Sequence, residues 1–113
     1  MKQDGLVTFI EMGTGDTERT SQFFSKLFGW RFQAMGDTGN GWFETPAGKI
    51  GLHGDDPGWE MVPYFKVSDL EAAIENVRAL GGDAEAIATA EGFGRFSNCK
   101  DPQGMRFGLH EPD

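Results

Sequence analysis

Two histidines carry most of the chemical potential of this 113-residue chain, and each closes a Gly-Leu-His triplet: Gly51-Leu52-His53 and Gly108-Leu109-His110. Imidazole titrates near neutral pH and ligates metals, so with Glu11 the pair offers two chemistries. One is a displaced site for a divalent ion such as Zn or Ni; the other is an acid–base pair. Against both stands the position of each histidine at a strand end, where a solvated imidazole is the commoner outcome. Cys99 is the single cysteine. It has no partner for an intrachain disulfide, and with Lys100 as its one basic neighbour it reads as a buried thiol rather than a nucleophile. No Gly-x-x-Gly pattern follows a strand and opens a helix, so phosphate cradling has no support.

Holding those residues in place falls to two half-chains that read alike. In the first, an apolar segment Leu6–Met12 precedes Asp16, a good N-cap. The apolar residues Phe23, Phe24, Leu27 and Phe28 then mark one face of a helix over Thr17–Phe28, and Gly29 suits a left-handed C-cap. Trp30–Met35, Gly41–Thr45 and Lys49–His53 follow as three strands, separated by turn-forming stretches. In the second, Met61–Val67 is a strand and Ser68-Asp69-Leu70-Glu71 reads as a capping box with Ser68 as cap. Leu70, Ala73, Ile74, Val77 and Leu80 form the helical stripe, closed by Gly81-Gly82. Asp83–Thr89, Gly94–Lys100 and Arg106–Glu111 supply three more strands. Pro46-Ala47-Gly48 matches Pro102-Gln103-Gly104, and the two Gly-Leu-His triplets end matching strands, so the pattern is β-α-β-β-β twice. The expected organisation is one domain over 1–113: module one at about 6–53, a linker at 54–60 and module two at about 61–111.

Composition closes off several functions. Eighteen acidic side chains against ten basic ones give a formal charge of −8, with no run of Lys or Arg to attract phosphate backbones or anionic lipid. Neither nucleic acid nor membrane is expected as a partner. No apolar run approaches the ~20 residues of a membrane-spanning helix, and the start Met1-Lys2-Gln3-Asp4-Gly5-Leu6 lacks a signal peptide's apolar segment. The expected location is cytoplasmic. Ten Phe, three Trp and one Tyr allow a modest core to be built from rings.

Phe23-Phe24-Ser25-Lys26-Leu27-Phe28-Gly29-Trp30, Tyr64-Phe65-Lys66-Val67-Ser68-Asp69-Leu70, Gly94-Arg95-Phe96 and Asp101-Pro102-Gln103-Gly104 stand in an order that resembles the vicinal oxygen chelate superfamily. Glyoxalase I, extradiol dioxygenases and bleomycin-resistance proteins belong to it. The resemblance runs from about Leu6 to Glu111. It implies an α+β fold of tandem βαβββ modules, two strand cups facing each other around a ligand cavity with helices outside, in a homodimer. Enzymes of this superfamily hold a divalent metal on the first and fourth strands of each half. Carried over residue by residue, those positions fall on Phe9, Val62, Gly108, and either Gly51 or His53. Phe, Val and Gly have no metal-donor atom, so the resemblance implies a metal-independent protein with no cofactor.

Strand alternation with period two then gives the side chains that share a face with those positions. Glu11 goes with Phe9, Tyr64 and Lys66 with Val62, His53 with Gly51, and His110 with Gly108. Trp42 and Trp59 join them as candidate aromatic lining. The expected cavity is therefore Phe9, Glu11, Trp42, His53, Val62, Tyr64, Lys66, Gly108 and His110, binding an organic small molecule. One alternative is a metal-dependent lyase or isomerase of the lactoylglutathione lyase type, with His53, His110 and Glu11 as ligands. A dimeric regulatory or scaffold protein is another.

Overall fold

Asp16 and Asp69 start the two helices of this chain by the same means. Each is extended, and its carboxylate accepts the backbone N–H three residues on, from Arg19 at 3.0 Å and from Ala72 at 3.1 Å. This satisfies one of the amides that a helix start leaves without a partner. The structure, a computed structural model, describes residues 4–56 and 60–113. In chain order the elements are β1 (Val7–Gly13), α1 (Thr17–Phe28), β2 (Arg31–Ala34), β3 (Gly41–Thr45), β4 (Gly48–His53), β5 (Met61–Lys66), α2 (Leu70–Ala79), β6 (Asp83–Ala84), β7 (Ala88–Ala90), β8 (Gly94–Lys100) and β9 (Arg106–Pro112). This is an α+β fold of βαβββ type. None of the described helices is long and apolar enough to cross a membrane.

Two compact units make up the chain: Phe9–Met61, and Val62–Asp113 together with the residues before Phe9. In the first, β1 runs parallel to β4, and β4, β3 and β2 follow as an antiparallel meander. Gly29 ends α1 at φ 75°, in the left-handed region where a side chain would be strained, and its N–H returns to the Ser25 carbonyl. That turn sends Trp30 back over the sheet. Phe43, fully buried, centres the core of this unit with Met12 and Leu52. The rings of Phe24, Trp30 and Phe32 lie 5.9, 5.7 and 5.2 Å from it.

In the second unit β5 runs parallel to β9, and β8 pairs antiparallel with β9. Leu70 and Ile74 of α2 pack on Val67, Cys99 and Leu109. The chain start belongs here because Gly5 N–H donates to the Lys66 carbonyl, Lys66 N–H to the Leu6 carbonyl and Ser68 N–H to the Asp4 carboxylate. Two local expectations are corrected. The cap of α2 is Asp69, not Ser68. Glu71 turns outward to Arg95 (2.6 and 2.8 Å), and the carboxylate of Glu111 on β9 takes the Leu70 N–H instead. Hydrogen bonds from Arg95 hold the Glu71 carboxyl down at about 2. The single strand expected over Asp83–Thr89 is two short ones, β6 and β7. Ala84 pairs Cys99 while Ala88 pairs Phe96, four steps against three, so one extra residue interrupts the ladder as a bulge.

Because Phe43 has no exposed surface and rings and aliphatic side chains close around it, Phe43→Ala should cost about 3–5 kcal/mol. Urea unfolding checks this; a loss under about 1 kcal/mol would contradict the placement of this core.

Candidate functional site: a histidine held between two carboxylates

Alternation along β1 and β4 puts Phe9, Glu11 and Gly13 on one face with Gly51 and His53, and the register aligns Glu11 with Gly51 and Gly13 with His53. The pattern is a checkerboard of long side chains and glycines. A Cβ on Gly51 would collide with Glu11 Oε1 and lie 2.7 Å from Phe9 Cζ. One on Gly13 would collide with Asp56. Both glycines are therefore filled by carboxylates reaching over bare backbone. His53 stands between them: Nδ1 is 2.7 Å from Glu11 Oε2 and Nε2 is 2.9 Å from Asp56 Oδ2. The turn that delivers Asp56 is tied to the end of β1, since Thr14 N–H donates to the His53 carbonyl and Asp56 N–H to the Thr14 carbonyl.

An ionised carboxylate only accepts, so with Glu11 and Asp56 both ionised each ring nitrogen must donate, which is the imidazolium form of His53. Burial opposes that charge, but hydrogen bonds and charge from Glu11 and Asp56 outweigh it and raise the His53 pKa above its ordinary 6.5. For Glu11 burial is the larger influence; it lifts the carboxyl above its ordinary 4.5 although His53 pulls the other way. The next strand adds Trp42, opposite Gly51, with the Lys49 ammonium 4.6 Å from its ring centroid. The Trp42 Nε1–H is shut off from solvent and has no acceptor among the described residues.

Corresponding positions in the second unit carry different chemistry. Tyr64 aligns with Gly108 as Glu11 does with Gly51, and a Cβ on Gly108 would collide with the Tyr64 ring. The phenol donates to Asn98 Oδ1 at 2.6 Å. His110, aligned with Lys66, is 5% exposed and lies under the Phe93 ring, 3.7 Å away and nearly parallel. Its Nε2 donates to the Phe93 carbonyl at 2.7 Å, and Nδ1 meets the Thr8 hydroxyl at 2.8 Å. The expected solvated strand-end histidine is thus a buried, stacked one. Val62 is buried and Lys66 half-buried on the same strand. Cys99 is buried, which pushes its thiol up.

The structure joins Glu11 and His53 and aligns Phe9 and Trp42 with them; Val62, Tyr64, Lys66, Gly108 and His110 belong to the second unit. Trp59 lies outside the described residues. Among the described residues no cluster of three His, Cys, Asp or Glu is arranged to hold a metal ion. Asp56, Lys49, Phe93 and Asn98 were not anticipated. For Asp56 the one available signal was its position three residues after His53, across a Gly-containing turn.

The raised His53 pKa means that folding takes up a proton there. Its contribution to stability is full below the unfolded value near 6.5 and is lost as pH rises through the folded value. Urea midpoints of the native chain and His53→Gln, measured across pH, should therefore converge as pH climbs above 6.5. A gap that widens with pH would contradict the triad.

Three comparisons bear on this geometry. Residues 9–110 match the family described as Glyoxalase-like domain. A glyoxylase-like domain-containing protein of Didymella fabae is 37% identical over 69% of this chain and 70% of its own length. The anthracycline biosynthesis protein DauV of Streptomyces sp. (strain C5) is 26% identical over 93% of this chain, which spans only 46% of that relative. Among solved structures, a glyoxalase/bleomycin resistance protein/dioxygenase superfamily member from Vibrio splendidus 12B01 shares the fold, with a TM-score of 0.69 at 16% identity, covering 93% of this chain and 97% of that one. Methylmalonyl-CoA epimerase from Mycobacterium tuberculosis does so at 0.68 and 19%, covering 96% and 88%. With the βαβββ order, the parallel β1–β4 and β5–β9 pairs and the matched residues in agreement, the chain belongs to the glyoxalase-like domain family of the vicinal oxygen chelate superfamily.

Proposed function

We propose that this chain is a metal-independent glyoxalase-like protein that binds an organic small molecule. One observation carries the reading: Glu11 occupies the space over Gly51, and His53 commits both ring nitrogens to carboxylates. The two aligned pairs, Glu11 with Gly51 and Tyr64 with Gly108, make Gly51 the counterpart of Gly108 and Phe9 the counterpart of Val62. The four positions at which the superfamily's enzymes carry metal ligands then hold Phe, Gly, Val and Gly. That set does not fit a divalent ion, which needs carboxylate oxygens or free imidazole nitrogens. An imidazolium has no lone pair to give, so His53 could ligate a metal only by giving up a proton and a carboxylate partner. The names of the Streptomyces relatives, tied to anthracycline biosynthesis, support an organic ligand. Dimerisation belongs to the same proposal, supported by the exposed apolar side chains Phe23, Leu27 and Phe28 of α1.

Elemental analysis of the dialysed protein should find no stoichiometric divalent metal, and added Zn²⁺ or Ni²⁺ should not raise its melting temperature. A retained metal at one per chain, or a Zn²⁺-dependent stabilisation abolished in His53→Ala, would contradict the proposal.

A further inference from the structure

Strand pairing in the second unit lays charged side chains out in a row. Asp83, Lys100 and Arg106 are register partners across β6, β8 and β9, so they share a face of the sheet. Asn98, Gly108 and Tyr64 form the next row on that face. Both rows contribute to the lining of a cavity of about 190 Å³. Its floor includes the buried Val62 and the half-buried Asn98, and its rim is the exposed Asp83, Glu85, Lys100 and Arg106. The rim charges cancel in sum but are separated by sign. Both carboxylates come from β6 and the residue just after it, and both cations from the paired ends of β8 and β9. Asp83 stands opposite Lys100, yet neither side chain makes a hydrogen bond or ion pair among the described residues, and nor does the Glu85 carboxylate. Lys100 and Arg106 are like charges directly opposite one another, an unfavourable cross-strand pair that an anion between them relieves. A lone anion or cation is attracted by one side of this rim and repelled by the other, whereas a molecule carrying both charges is attracted by both. At ~30 Å³ for each water the cavity has room for about six, well under the ~300 Å³ at which drug-sized sites begin, so its occupant is small.

Resting on the metal-independent, small-molecule reading above, we propose that this cavity binds a zwitterionic α-amino acid of about alanine's size. The ligand's ammonium donates to the Asp83 and Glu85 carboxylates, and its carboxylate accepts from the Lys100 ammonium beside the positive charge of Arg106. Its small side chain lies against Val62. Hydrogen bonds at both ends are charge-assisted, and therefore stronger than those between neutral groups. Asn98 on the floor is held by the Tyr64 phenol, which donates to its Oδ1 at 2.6 Å, so its side-chain amide is a fixed reporter of occupancy.

The probes are L-alanine, L-alaninamide, which lacks the carboxylate, and N-acetyl-L-alanine, which lacks the ammonium. Each is titrated into the full chain at neutral pH, once with EDTA and once with Zn²⁺, while NMR follows the Asn98 side-chain amide and the Val62 methyl groups. In EDTA, alanine should bind about fivefold more tightly than either blocked compound, the upper end of what an exposed ion pair contributes. Lys100→Gln should shrink alanine's lead over the amide and spare its lead over the N-acetyl compound. Asp83→Asn combined with Glu85→Gln should do the reverse. Equal affinity for the three probes, tighter binding of either blocked compound, or no binding of alanine with or without Zn²⁺ would overturn this inference and leave the metal-independent reading standing. Binding that appears only with Zn²⁺ would overturn both. The probe series compares affinities on the native chain, so the test holds even if a variant fails to fold.

Discussion

Two glycines on one sheet face set the chemistry of this protein. Gly51 and Gly13 leave backbone uncovered beside Glu11 and His53, and the carboxylates of Glu11 and Asp56 occupy the volume a Cβ would take. Only with that room can both carboxylates reach one imidazole, at 2.7 and 2.9 Å. A charged histidine at a partly buried site is unfavourable by desolvation, and the paired carboxylates reverse the balance. The backbone pins the turn after β4 against the end of β1 as well, so a single arrangement holds His53, the loop that carries Asp56 and the Glu11 carboxylate.

The two halves use one plan with opposite chemistry. Glu11 and Tyr64 occupy matching places beside Gly51 and Gly108, as do His53 and His110 two residues on. In the first half the pair is ionic and half-exposed. In the second, a phenol bonded to an amide and an imidazole stacked on Phe93 make a buried arrangement. The two halves thus share a backbone register while their side chains differ. Fold and function separate at this point, since the register follows from strand pairing and the chemistry from a few side chains on it.

Much of this is legible in the amino-acid sequence. The helix Thr17–Phe28 and the strands Gly41–Thr45 and Gly94–Lys100 follow directly from apolar spacing and turn residues. The faces follow from period two, because a slip of one residue would bury Glu11 and expose Leu52. Local patterns misled where distant partners compete. Ser68 offers a capping box, but Arg95 draws Glu71 outward and Glu111 arrives from β9 to take the Leu70 amide, which leaves Asp69 as the cap. The bulge between β6 and β7 is a pairing mismatch of one residue with β8, invisible in a strand-forming stretch read alone. His110 is buried because Phe93, seventeen residues away, stacks on it. Asp56 sat in a stretch that reads as linker, and only the turn after β4 brings it to His53.

The proposed metal independence depends on His53 being a doubly protonated imidazole clamped between two carboxylates. Nitrogen NMR of histidine-labelled protein at neutral pH measures this directly, with His53→Gln used to assign the signal. Both ring nitrogens of His53 should show directly bonded protons and imidazolium shifts. A neutral ring with one bare nitrogen would contradict the account, because that lone pair would be free to bind a metal.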